Sequence, residues 1–414
     1  MRIGIDGRTM LNWRGGEGAG IGHYTFLLVR SLLKVDRENE YVLFLDRHIS
    51  GQIQKECVGD NPRVSIRNFP FRNAGRALPF IYSHMVVSAA FEKANLDILH
   101  SPANSLPLFY RKPSVITVHD LAIYDHPEWF PSPFPHSLGF SERIVVPYSV
   151  RQARRVIAVS KQTKSDLIRV FGMPEGKIDV IYEGAGMPKG NGGNAVMDRY
   201  GLTAGRYFLF LGTLEPRKNI PSAIQAFSDF VREDPKGRFG FELVIAGRRG
   251  WKYEPIFEAM TRANLEINRI CGDREPVERV RHIGYVRRED KAGLIRNAVA
   301  FVFPSFYEGF GLPVIEAMGL GVPVIASNRA SLPEICGQAC ILTEPEDCSA
   351  MADAMGRLVS DGGGAEDWGE RGRVQAQKFD WDRSAAETLS VYRKALEEPV
   401  TDDGDMPIDR VFGM

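Results

Sequence analysis

Ala300-Phe301-Val302-Phe303-Pro304-Ser305-Phe306-Tyr307-Glu308-Gly309-Phe310-Gly311-Leu312-Pro313-Val314-Ile315-Glu316-Ala317-Met318 joins a short apolar run to a helical pattern through a loop holding two glycines. The run Ala300–Phe303 has no polar alternation, the mark of a strand buried on both faces of a parallel sheet. Gly309 and Gly311 let the backbone approach a ligand closely, and Pro313 suits the first turn of a helix. A helix starting there aims unsatisfied N–H groups past the strand end, a ready site for an anion. Glu308 lies in the loop and Glu316 one turn into the helix. Carboxylates accept hydrogen bonds from hydroxyl groups such as those of sugars. Beside a diphosphate they would be repelled, so both glutamates are expected to face neutral, hydroxyl-bearing groups. Singly, each reads as readily as a surface acid, and Phe306, Tyr307 and Phe310 read as packing.

The same alternation of apolar run and helical pattern extends outward. In the first half, strands are expected at Arg2–Ile5, Tyr41–Leu45, Val64–Asn68, Asp97–His100, Val115–Val118, Val156–Val159 and Ile178–Tyr182. Helical patterns separate them, among them Tyr24–Val35, Tyr82–Ala94 and Lys161–Phe171. In the second half, strands are expected at Tyr207–Gly212, Glu242–Ala246, Val280–Gly284, Ala300–Phe303, Val322–Ala326 and Ala339–Leu342. Apolar strands joined through helices imply an α/β fold with doubly wound parallel sheets. Ligands of such sheets bind beyond the carboxyl ends of the strands.

A chain of 414 residues exceeds one ordinary core. Gly184–Asn194 (GAGMPKGNGGN) is Gly-rich and without periodicity, which places the boundary there. The expected division is 1–190, 191–378, a helix within 379–398 read from Asp380–Glu397, and a poorly ordered acidic tail at 399–414. Net charge is zero, which argues against a nucleic-acid binder. The five cysteines are odd in number with no C-x-x-C spacing, and read as reduced thiols of a cytoplasmic protein. No run reaches the roughly 18 apolar residues of a spanning helix, and MRIGIDGRT opens as a strand.

Other strand ends carry candidate chemistry. In Leu211-Gly212-Thr213-Leu214-Glu215-Pro216-Arg217-Lys218-Asn219, two cations sit at a strand-to-helix turn. Arg offers a planar fork and Lys a point charge, together able to neutralise a diphosphate. From charge alone a solvated basic turn is the commoner reading. Arg14–Tyr24 (RGGEGAGIGHY) is a Gly-rich loop that does not fit G-x-G-x-x-G. It reads as a loop over a phosphate or as a plain connection. His119 follows a parallel strand, well placed for chemistry, although a structural histidine is the commoner outcome. No Walker A motif and no G-x-S-x-G elbow occurs, and the D-x-D triplet Asp403–Asp405 lies in the tail.

Taken together, these residues resemble glycosyltransferase family 4. Glu308 and Glu316 match its E-x7-E motif, and LGTLEPRKN, HIGYV (His282–Val286), PVIAS (Pro323–Ser327) and LPEI (Leu332–Ile335) occur in the family order. GIGHYT and the ITVHDL–HPEWF stretch look like the bacterial mannosyltransferase-like members. The resemblance covers nearly the whole chain. It implies the GT-B fold: two Rossmann-like domains facing across a cleft, an acceptor-side N-terminal one and a nucleotide-sugar-binding C-terminal one, with the last helix crossing back to the first. It further implies that Arg217 and Lys218 hold the donor diphosphate and that Glu316 accepts from ribose hydroxyls. Glu308 then contacts the donor sugar, the backbone around Phe310, Gly311 and Leu312 meets sugar or phosphate, and Ile283 and Tyr285 line the base site. His119 meets the donor sugar from the other domain, and Gly20 and Gly22 close on the phosphate from a loop longer than the family's usual form.

The resemblance also implies transfer with retention of anomeric configuration. A double displacement needs a carboxylate behind the sugar; the favoured alternative is a front-face route with no divalent metal and no cofactor. The expected donor is a nucleoside-diphosphate hexose, GDP-mannose first, and the acceptor a glycan or lipid-linked saccharide. Arg143, Arg151, Arg154 and Arg155 make a basic stretch that would suit anionic lipid at the inner face of the membrane, or simply a solvated face. A nucleotide-sugar epimerase and a catalytically dead nucleotide-sugar-binding protein stand as alternatives.

Overall fold

The structure is a computed structural model, and it describes residues 1–10, 20–46, 49, 51–69, 81–131, 141–186, 194–236, 238, 240–360 and 364–398. The tail from 399, the Asp403–Asp405 triplet, most of the Arg14–Tyr24 loop and residues 187–193 of the linker lie outside these. For the residues described, the chain divides into two compact units. The first takes Met1–Tyr124, Ser132–Gly184 and Asp380 onward; the second takes Asp125–Pro131 and Ala185–Phe379.

The first unit is built on seven parallel strands: β1 (Arg2–Asp6), β2 (Glu40–Asp46), β3 (Val64–Phe69), β4 (Ile98–Ser101), β5 (Ser114–Val118), β6 (Arg155–Ala158) and β7 (Ile178–Val180), in the order β3-β2-β1-β4-β5-β6-β7. Its central strands are buried along their length, as wholly apolar runs require when helices cover both faces. Helix termini follow local chemistry. The Ser160 hydroxyl accepts from Thr163 N at the start of helix Lys161–Phe171, and Gly172 ends it at φ 63°.

The second unit has six parallel strands: β8 (Tyr207–Leu211), β9 (Glu242–Ala246), β10 (Val280–Gly284), β11 (Ala300–Phe303), β12 (Val324–Ser327) and β13 (Ile341–Thr343), ordered β10-β9-β8-β11-β12-β13. In this order the direction of winding reverses between β8 and β11. A switch point of this kind leaves a crevice beyond the strand ends, because the loops leaving β8 and β11 depart to opposite sides. The corresponding point in the first unit lies between β1 and β4.

Three expectations need correction. The first unit ends at Gly184 and not at residue 190, and Asp125–Pro131 belongs with the second. The Gly184 break is set by packing: a Cβ on Gly184 would lie 2.4 Å from Trp381 N, so the chain leaving the first unit and the chain returning to it touch. The pattern over Tyr82–Ala94 is not one α-helix. A π-helical stretch Ile81–Val86 precedes a shorter α-helix Val87–Glu92.

The Arg154–Arg155 end of the basic stretch is not a free surface either. Arg155 is buried in β6, paired with Asp179 and Glu398, and Arg154 donates to Ala395 O. Both arginines anchor the end of the last helix, Trp381–Glu397. That helix completes the first unit. It packs along helix Ile21–Val35, its Asp380 cap accepts from Arg383 N, and Ser384 Oγ donates to Tyr182 O.

Candidate active site

The second unit's switch point gathers the residues of the PRKN and E-x7-E stretches. The chain leaving β8 makes a single 3-10 turn at Pro216–Lys218, and Asn219 ends it in the left-handed region at φ 50°. The chain leaving β11 folds beside it, with Phe306 N donating to Arg217 O. Close backbone approach is required nearby. Gly247 has φ 148°, and a Cβ there would stand 1.7 Å from the carbonyl oxygen of Gly212. Gly311, at φ 104°, caps helix Leu312–Gly319 where a Cβ would meet Leu332 at 2.8 Å.

Here the side chains meet. Lys218 Nζ donates to Glu308 Oε1 at 2.5 Å, and both residues are buried. Arg217 Nη1 lies 3.5 Å from Glu308 Oε2 and 3.2 Å from Tyr307 O; Nη2 donates to Glu215 Oε1 at 2.9 Å. The Lys218 ammonium also stands 5.2 Å from the Phe303 ring centre. Burial pushes the Glu308 carboxyl up, but the Lys218 and Arg217 charges and the Lys218 hydrogen bond outweigh it and hold the group below the usual carboxylate range. Glu308 is therefore ionised at neutral pH.

The expectation that Glu308 faces hydroxyl-bearing groups of a ligand did not include these protein partners. The side chain that was to avoid the phosphate site is bonded to the cations assigned to it. With Glu215 and Glu308 against Arg217 and Lys218, the cluster is formally neutral. Attraction for an anion then depends on which N–H bonds point outward, not on net charge.

Glu316 is buried one helical turn in, with its carboxylate ion-paired to Lys291 of helix Arg288–Arg296. That contact is not aligned as a hydrogen bond to Oε2. The loop between the two glutamates is clamped from below. The buried Ser331 hydroxyl lies 2.9 Å from Glu308 O and 3.0 Å from Phe310 O, while Phe310 packs edge-on to Phe379. Asn219 Nδ2 donates to Pro304 O at 3.2 Å and Pro345 O at 2.7 Å, tying the loops after β8, β11 and β13 together. Further along the strand ends, Ile283 is partly buried and Tyr285 is exposed with the Arg248 guanidinium 4.5 Å over its ring.

In the first unit, His119 follows β5. Its Nε2 lies 2.9 Å from Pro102 O, which can only accept, so that nitrogen carries a proton. Its Nδ1 lies 3.4 Å from the buried Glu183 carboxylate, and its ring stands edge-on to Tyr24. Gly20 caps helix Ile21–Val35 at φ 64°, and Gly22 falls inside that helix and not in the loop.

Arg217, Lys218 and Glu308 are thus brought into contact, and Glu316 lies on the helix that follows. Sequence reading passed over Glu215 and Asn219 within the quoted stretch itself. It also missed Lys291, Ser331 and Glu183, for which no local signal exists.

Residues 200–375 match the family model described as glycosyl transferases group 1, and residues 18–185 match that of glycosyltransferase family 4. The chain is 30% identical over 390 residues to O-antigen chain mannosyltransferase B of Escherichia coli, covering 90% of this chain and 96% of that protein. Among solved structures, sucrose-phosphate synthase from Thermosynechococcus elongatus superposes with a TM-score of 0.70 at 21% identity, covering 95% of this chain and 98% of that one. The Anabaena protein HepE, solved in complex with UDP and glucose, superposes with a TM-score of 0.63 at 19% identity, covering 94% of this chain and 99% of that one.

Proposed function

The chain belongs to glycosyltransferase family 4 and has the GT-B fold of two Rossmann-like domains, and we propose that this hexosyltransferase moves mannose from GDP-mannose to a hydroxyl of a glycan or lipid-linked saccharide with retention of configuration. One observation carries the reading. The Lys218–Glu308 pair, joined by Arg217, stands at the switch point of a six-stranded parallel sheet, where such folds bind nucleotides. Mannose is favoured by the name of the E. coli relative, and the acceptor class by the same name. The solved complex of HepE contains UDP, so the base is the first thing to test.

In this reading Arg217 and Lys218 hold the donor diphosphate and Glu316 accepts from the ribose hydroxyls. Backbone N–H groups at Phe310–Leu312 meet sugar or phosphate, and Ile283 and Tyr285 flank the base. Glu308, buried and held by two cations, accepts from a sugar hydroxyl and is a poor nucleophile. That favours a front-face route over a covalent intermediate. The bond from sugar C1 to the phosphate oxygen breaks as the acceptor oxygen bonds C1 on the same face, and the acceptor proton passes to the departing phosphate. Catalysis is then positioning plus charge stabilisation at the leaving group. Lys218 and Arg217 supply that stabilisation without a divalent ion. His119 meets the donor sugar from the first unit, with Glu183 orienting its ring, and Gly20 and Gly22 close on the phosphate at a helix N-terminus. No helix among the described residues is long and apolar enough to cross a membrane. Of the basic stretch, Arg143 and Arg151 are exposed and are the pair we assign to an anionic lipid surface.

A thermal-shift panel of UDP-, GDP- and ADP-sugars, run with and without excess chelator, tests this, because a ligand that binds the native state raises its melting temperature. GDP-mannose is expected to stabilise most, with GDP released in chelator. A larger shift by UDP-glucose would replace the donor assignment, and loss of GDP release in chelator would refute metal independence. Epimerised sugar from donor alone would identify an epimerase, and binding without any turnover a dead binding protein.

A further inference from the structure

Asp125–Pro131 comes from the first half of the sequence, yet it is built into the second unit. It contains the HPEWF stretch, for which the proposed chemistry has no role. Four contacts fix it there, and a stack within the segment braces them. Trp129 stacks on Phe306 with ring centres 5.7 Å apart and planes 15° apart. Within the segment His126 stacks on Trp129 at 3.9 Å and 14°. Phe130 stacks on Trp251 at 6.0 Å. Trp251 Nε1 donates to Trp129 O at 2.7 Å, and Lys252 Nζ donates to Glu128 O at 2.7 Å. Offset aromatic stacks and two short hydrogen bonds make a geometrically specific attachment.

What the segment grips matters. Phe306 is two residues before Glu308, and its N–H is bonded to the carbonyl of Arg217. The Trp129 ring therefore rests on a residue whose backbone couples the chain after β11 to the chain after β8. If Phe306 shifts, Glu308 and Arg217 shift with it, and the Lys218–Glu308 pair is misaligned. Phe306 itself is only partly buried, and below it the loop is held at Ser305, Glu308 and Phe310 by Ser327 and Ser331. Those clamps act on backbone carbonyls, whereas Trp129 holds the loop through the Phe306 ring.

We infer that His126–Phe130 is a clasp and that Trp129 is a positioning residue for the loop carrying Glu308. The inference deepens the donor-site reading and rests on it for its catalytic consequence, but not for its structural one. Trp129 touches the loop through its ring face, and its hydrogen bonds in the clasp run through its backbone, the N–H donating to His126 O and the carbonyl accepting from Trp251 Nε1. Phenylalanine therefore preserves the contact and alanine removes it.

The test uses the full chain with Trp129→Ala, Trp129→Phe and Trp251→Phe, read in two ways. Hydrogen exchange needs no ligand. In Trp129→Ala, amides of 305–311 are expected to exchange about tenfold faster, with the strands of the second unit unchanged and Trp129→Phe restoring protection. Trp251→Phe, which loses the bond to the Trp129 carbonyl, should show an intermediate effect. The second reading is GDP release from GDP-mannose, where Trp129→Ala is expected to lower kcat about ten- to a hundredfold, the scale of a sub-ångström to 1 Å misplacement, with KM changed less and Trp129→Phe near wild type. Unchanged exchange at 305–311, or faster exchange spread over the whole second unit, overturns the clasp. Local exchange that rises while kcat stays at the wild-type value overturns its positioning role. If the wild-type protein releases no nucleotide but 305–311 responds as expected, the clasp stands and the donor assignment fails.

Discussion

Lys218 and Glu308 define each other's behaviour. A buried carboxylate left without its cation costs far more than the pair contributes, because desolvation is no longer offset. Lys218→Ala is therefore expected to lower stability by about 3 kcal/mol as well as turnover, and the two effects need separation. Lys218→Ala combined with Glu308→Gln removes the stranded charge. The double variant should recover most of the lost stability in urea denaturation while turnover stays down by on the order of a hundredfold or more. Recovery of turnover along with stability would show that Lys218 serves folding and not the leaving group. The glutamates and the cations were legible as types, since carboxylate and cation at strand ends suit a phosphorylated, hydroxyl-rich ligand. That Lys218 would grip Glu308 was not legible, because 90 positions separate them and only strand order makes them neighbours.

At the level of elements, the site exists because the loops after β8, β11 and β13 are tied at one residue. Asn219 adopts a left-handed conformation that asparagine tolerates better than most residues, and its amide satisfies two buried carbonyls. Asn219→Ala leaves both carbonyls without that donor and strains φ. A destabilisation of about 2 kcal/mol is expected, together with a rise in donor KM as the loops separate. Asn219→Gly relieves the strain but not the lost bonds, so it should fall between alanine and wild type. Equal stability of all three proteins in chemical denaturation would show that the ties are replaced by water. The strands themselves were readable as elements. Ala300–Phe303 and Glu242–Ala246 form strands within the bounds that their apolar runs define. Tyr82–Ala94 was misread because a helical period does not distinguish π from α turns at its start.

On the scale of the molecule, the last helix returns to the first unit and enters its core chemistry. Tyr392 OH pairs with His100 Nδ1 at 2.7 Å, and His100 Nε2 lies 2.9 Å from Thr117 Oγ1, which is 3.1 Å from Tyr24 OH. Burial, with a lesser contribution from His119, pushes the His100 imidazole down to about 3, against about 6.5 in an unfolded chain. A folded value below the unfolded one means that the unfolded chain binds more protons between these limits, so stability rises with pH across that window. The contribution is fully present above pH 6.5 and is lost progressively as pH falls toward 3. Unfolding free energies measured in urea from pH 7 to 5, before most carboxylates protonate, should fall with acid at a slope of up to about 1.4 kcal/mol per pH unit for this histidine. His100→Gln should flatten that slope. An unchanged slope in the variant would mean that His84, also held low, at about 4, chiefly by burial, accounts for it instead.

By itself the sequence determined the α/β class, the positions of the strands, the two-part division and the family, because short apolar runs, glycine-rich turns and ordered motifs are local signals that survive without coordinates. Only the tertiary structure decided who touches whom. It paired Glu308 with Lys218 and Arg217, supplied Lys291 and Ser331 from elsewhere in the sequence, buried Arg155 against Asp179 and Glu398, and built His126–Phe130 into the second unit. The reason is physical. A residue's type and its strand-end position follow from its neighbours in the chain, whereas a side-chain pair depends on which strands lie side by side and on where the winding of the sheet reverses.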